Sequence, residues 1–172
     1  MSTVNGLPAH LLLVHAVVVL LPLSALLLIA TVVRPAARRR FAGANVVLSL
    51  LVVVLVPLTT SAGEWLEQRV PSSDLVHRHA ELGDTAILYA LPIAVLALLV
   101  WWRERETAGE GSARRTYLAP TSSAVTGVIA AVAVVVAAAG VYGTYRIGDS
   151  GARAAWTGTF DVTATSPRAE HP

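Results

Sequence analysis

Five histidines and a small set of acids are the side chains of this sequence best able to bind metals, complete a haem or move protons. There is no cysteine, which removes disulfides, thiolate metal sites and the covalent c-type haem motif. His10 and His15 are five residues apart. On a helix that is about 7.5 Å of rise and about 140° of net rotation, so the two rings cannot comfortably share one ligand. His77 and His79 are two apart, about 200° on a helix, so one faces a bundle and the other faces water. Gly83 lies one turn beyond His79 and leaves room for something flat, such as a porphyrin or a quinone. A b-type haem takes one imidazole from each of two segments. His10 or His15 opposite His79 would supply them, with Glu64 accepting a ring N–H. The alternative to haem is a zinc or copper site built from His10, His79, Glu64 and Asp149.

The plainer readings stand beside these. His15 falls inside an apolar run, where an ionisable residue is a functional hypothesis by default; otherwise it is a neutral ring bonded to a backbone carbonyl. His10, Glu64, His77 and His79 also suit an ordinary wet interface, and Trp65 and Trp156 suit belt anchoring. His171 is read as part of a loose tail. No phosphate-binding loop, HExxH or serine elbow occurs, so there is no enzymatic motif, and hydrolase or transferase chemistry is not expected.

The elements that must position these residues follow from composition. The chain has 172 residues, of which 55% are hydrophobic and 14% charged. A soluble domain carries about 25% charged residues, so much of this surface faces lipid. Four runs reach the length of about 20 apolar residues that a span needs: 11–33, 42–62, 85–102 and 120–145. No Arg or Lys precedes the first, so it is read as a retained span and not a signal peptide. In lipid only helices or closed barrels satisfy the backbone, and these runs are too long and too uniform for barrel strands. The expected fold is all-α: a four-helix transmembrane bundle, up-down-up-down, forming one domain over 1–156 with a disordered tail at 157–172.

All thirteen basic residues are Arg, and eight of them crowd into the loops after spans one and three. The positive-inside rule makes those loops cytoplasmic and puts both termini outside. Pro71-Ser72-Ser73-Asp74 reads as a helix start with a serine cap, so the third helix begins near Asp74, outside the membrane. Arg146, Asp149 and Trp156 are expected to follow the fourth helix. The pairs Gly127/Ala131 and Ala139/Gly143 mark close helix approach, and Pro22, Pro57 and Pro92 mark kinks.

Several short motifs carry a resemblance. Asn5 to His10 with Val14-His15, Ser61-Ala62-Gly63-Glu64-Trp65, His79-Ala80-Glu81-Leu82-Gly83, and Arg146 to Ala152 followed by Trp156 occur in order. Together they resemble the domain of unknown function 2231 family, a group of predicted bacterial membrane proteins. The family often has His-Pro where this chain has His10-Leu11. The resemblance implies a four-span membrane domain and no established activity; some relatives are joined to Rieske or cytochrome-type modules, which suggests a redox setting by association.

The expected function is that of a multi-pass plasma-membrane protein holding a b-type haem, a quinone or a metal at its outer end. The alternative is a non-catalytic assembly or scaffolding subunit. Expected partners are the bilayer, redox or other membrane proteins, and further copies of the chain. A net charge of +2 gives no reason to expect nucleic acid, and the lack of charge at mid-membrane argues against transport.

Overall fold

The computed structural model describes residues 3–4, 6–107 and 122–158. Five helices account for nearly all of them: α1 (Ala9–Val33), α2 (Pro35–Glu67), α3 (Asp74–Asp84), α4 (Ala86–Thr107) and α5 (Ser123–Trp156). Ahead of α1, β1 (Thr3–Val4) pairs antiparallel with β2 (Leu7–Pro8), with Gly6 between them at φ +79°. All but two residues of the expected tail, and residues 108–121 between α4 and α5, lie outside the described residues.

Helix boundaries follow from local chemistry. Arg34 precedes Pro35, and a residue before proline is pushed out of the α region. Arg34 sits at φ −117°, ψ 115°, which ends α1, and Pro35 then opens α2 at a position where its missing N–H costs nothing. Ser73 caps α3, its hydroxyl accepting from Val76 N–H at 3.3 Å, with Asp74 in the first turn, as its sequence suggests. Ser122 caps α5 in the same way. The helices continue through Pro22, Pro57 and Pro92. The helical run from Asp74 is interrupted at Thr85, where the N–H and the hydroxyl both bond Leu82 O (3.1 and 2.6 Å) and tighten the turn between α3 and α4.

α1, α2, the α3–α4 pair and α5 are each long and apolar enough to cross a membrane. At 1.5 Å per residue, the 33 residues of α2 reach about 50 Å, well beyond a hydrocarbon core of about 30 Å. α2 therefore carries Arg38 and Arg39 out of one end of the bundle and Glu64 and Glu67 out of the other. α5 is equally extended: Arg146, Asp149 and Trp156 lie on it and do not follow it, because nothing before Thr157 interrupts its backbone bonding.

α1 packs between α2 and α5, and α4 closes the ring between α2 and α5, so neighbours in sequence are neighbours in space. α3 lies across the ends of α2 and α5. Leu21, Leu28, Val52, Val56 and Ile93 fill the centre. Val47, Leu88 and Val135 are about two-thirds exposed; such a belt would be a liability in water and is the expected surface in lipid. Buried hydroxyls bond their own helices: Ser24 to Leu21 O, Thr31 to Leu28 O and Thr144 to Gly140 O.

The close-packed stripe of α5 differs from the expected one. Gly127, Ala131 and Ala139 face outward, while Ala133, Ala137, Gly140 and Gly143 are buried. Spacing of four recurs on every face of a helix, so it does not say which face meets a neighbour.

At mid-bundle Asn45 joins α2 to α1. With its amide oriented to satisfy both partners, it donates to Ser24 O (3.1 Å) and accepts from Leu28 N–H (3.3 Å). Hydrogen bonds between membrane helices contribute about 0.6 kcal/mol on average and at most about 1.7. Asn45→Leu is therefore expected to lower the unfolding free energy within that range, measured by denaturant titration in mixed micelles. Near the arginine-rich end, Arg38 Nε donates to Glu104 Oε2 at 2.7 Å and ties α2 to α4.

Candidate functional site

The opposite end of the bundle gathers the chemistry. His10 occupies the first turn of α1 and His79 the middle of α3. Their ring centres are 6.2 Å apart and their planes are 78° from parallel, so the rings face without stacking. Each lies against the backbone of a long helix, and each has a glycine for a seat. A Cβ at Gly63 of α2 would stand 3.1 Å from the His10 ring, and one at Gly151 of α5 would stand 2.9 Å from that of His79. Any other residue would press the imidazole away.

The hydrogen bonds fix both tautomers. His10 Nδ1 is 3.0 Å from Thr59 O. A carbonyl only accepts, so this nitrogen carries the proton. His79 Nδ1 is 3.0 Å from Ser150 Oγ, and Ser150 spends its own hydroxyl proton on Ile147 O at 2.7 Å. Ser150 is thus an acceptor towards His79, and His79 Nδ1 carries the proton as well. Both Nε2 atoms are left with lone pairs. This is the state in which histidine binds metals, with the second nitrogen held by a carbonyl or hydroxyl.

Both rings line one open cleft with a cavity volume of about 130 Å³. Val14, Val17, Leu21 and Val56 make its walls apolar, and Glu64 stands at its polar end. Gly83 also lines it, and nothing lies within 4 Å of where a Cβ would be. The space expected beside His79 is therefore there.

Two of the expected site residues are elsewhere. His15 points away from the cleft, mostly exposed on the outer face of α1, with Nδ1 bonded to Leu11 O of its own helix. Its rotation of about 140° from His10 carries it out of the group. Asp149 lies one residue before Ser150 and so about 100° round α5 from the His79 contact; it pairs with Arg153 at 2.8 Å. The four-residue metal set His10, His79, Glu64 and Asp149 is accordingly not assembled. Among the described residues no three His, Asp or Glu side chains are grouped to hold a metal ion. His77 belongs to a different group, bonded to Glu67 and Ser72. Trp65 packs under Arg69, with the guanidinium carbon 3.9 Å from its ring centre.

Thr59, which orients His10, carries no signal of its own in the sequence. Gly63, Ser150 and Gly151 do: each falls inside one of the short motifs.

The architecture defines an integral membrane protein: four spans with a two-histidine cleft at one end. The chain belongs to the domain of unknown function 2231 family, described as a predicted membrane protein, whose family model matches residues 6–164. No curated protein and no solved structure gives a significant match.

Proposed function

We propose that this protein is a membrane redox subunit that holds a b-type haem between His10 and His79, at the end of the bundle facing out of the plasma membrane. The observation that carries the reading is the pair of tautomers: two facing imidazoles, each with Nδ1–H anchored and Nε2 free, open into one apolar cleft. His10 on α1 and His79 on α3, with ring centres 6.2 Å apart, would be the residues that hold the group. Haem rather than a bare ion fits the ligand count. Zinc asks the protein for three or four ligands, whereas a porphyrin brings four nitrogens and asks for two. The outward orientation is supported by the arginines at the other end of the bundle. The bound iron would exchange single electrons. His10 and His79, oriented by Thr59 and Ser150, would hold the group, and the valine and leucine walls would exclude water.

The test is an oxidised-minus-reduced visible spectrum of detergent-purified protein from haem-replete cells, with elemental analysis of the same sample. Sharp α and β bands on reduction, with about one iron per chain, are expected. A colourless, well-folded preparation that does not take up added haemin would overturn the proposal.

A further inference from the structure

The loop from α2 to α3 carries a second group that the cleft histidines do not use. Glu67 is the last residue of α2, Ser72 lies in the loop and His77 is in the first turns of α3. His77 Nδ1 is 2.8 Å from Glu67 Oε1, and His77 Nε2 is 3.0 Å from Ser72 Oγ. A carboxylate accepts, so Nδ1 carries the ring proton. Nε2 therefore presents its lone pair to the serine, and the Ser72 hydroxyl donates. The order hydroxyl, imidazole, carboxylate, with each bond in hydrogen-bonding range, is that of an activated serine nucleophile. Such a triad is defined by geometry and roles, not by order in the chain.

The surroundings suit the role. Ser72 is exposed, and the His77 side chain is 59% exposed, so a bulky substrate can reach both. Glu67 is more enclosed at 27%, as befits a group that orients its neighbour. The chain turns directly from Ser72 into the eleven-residue helix α3, whose cap Ser73 satisfies Val76 N–H. The N–H groups of Asp74 and Leu75 open that helix, and such groups stabilise negative charge developing on an oxygen.

We propose that Ser72, His77 and Glu67 form an esterase site acting on carboxylic esters of amphiphiles whose chains lie in the bilayer. The group sits where the apolar spans give way to polar chain, which is the level at which the ester linkages of such molecules lie. Ser72 Oγ attacks the acyl carbon while its proton passes to His77 Nε2. The ester C–O bond breaks, and the leaving alkoxide takes that proton and departs as the alcohol. Water then attacks the acyl-serine, giving its proton to His77. The Ser72 ester bond breaks, the free carboxylic acid leaves, and the serine recovers its hydrogen. Glu67 is a positioning residue: it holds the ring and stabilises the imidazolium.

The full chain in detergent micelles is treated with a fluorophosphonate probe and, separately, assayed with p-nitrophenyl butyrate. Labelling that maps to Ser72 by mass spectrometry is expected. Ser72→Ala and His77→Ala should lose the label and at least about 10²-fold of the hydrolysis rate, with helicity unchanged by circular dichroism. Glu67→Gln should lower kcat with KM unchanged, which a purely structural role would not do. An unlabelled wild-type protein, or equal hydrolysis by wild type and Ser72→Ala, overturns the proposal.

Discussion

His79→Ala purifies as a folded bundle without haem. The expected result is complete loss of the visible bands while far-ultraviolet circular dichroism stays at the wild-type level. The ring contributes a hydrogen bond to Ser150 and a seat on Gly151, and His79 is not among the buried core residues. Its removal leaves His10 as the one histidine lining the cleft. His10→Ala has the same outcome for the same reason. The residues behind the rings give a graded effect. Ser150→Ala keeps His79 but frees its Nδ1, and loss of such an orienting partner typically costs about 10–100-fold in affinity. Haemin titration of the apoprotein measures it. His15→Ala leaves the spectrum unchanged, since that ring is bonded to its own helix away from the cleft. A spectrum lost with His15 and kept without His79 would refute the assignment of ligands.

Gly143→Leu unfolds far more readily than wild type. A Cβ at Gly143 would already overlap the ring of Tyr89 on α4, and at Gly140 it would come within 2.8 Å of Ile93 Cδ1. Here α5 approaches α4 with no room for a side chain. Overpacking of this kind costs about 1–3 kcal/mol and occasionally more. Gly127→Leu is the matched control: the same chemical change on the same helix, at a position with nothing within 4 Å, and its expected effect is within about 0.5 kcal/mol of zero. Equilibrium unfolding in mixed micelles, with both variants run beside wild type, reads the difference. Equal stability of the two variants would mean that α4 and α5 do not meet at Gly143.

The contrast between those two glycines shows where reading the sequence stops. Both belong to pairs of small residues four apart, and both pairs promise close approach. Whether the approach happens depends on the rotation of α5 about its axis, and the part of α5 that carries both pairs has no charged residue on any side. A soluble helix reveals its inner face by the contrast between apolar and polar positions. A helix bathed in lipid has no such contrast, because its outer face is as apolar as its inner one.

The same physics divides the site. The four spans, their helical state and the serine cap at the start of α3 were legible in the sequence, since lipid leaves the backbone few options and Ser73-Asp74 states its own role. So was the gathering of His10, Glu64 and His79 at one end of the bundle, because span lengths fix depth. Depth is set by counting residues along an axis; azimuth is not. Only the tertiary structure turned His10 inward and His15 outward, chose Ser150 over Asp149 as the partner of His79, and brought Glu67 and Ser72 to the two nitrogens of His77. Each of those choices is a rotation of about 100–140° on a helix or the path of a six-residue loop, and the inward turns of His10 and His79 are seated on Gly63 and Gly151.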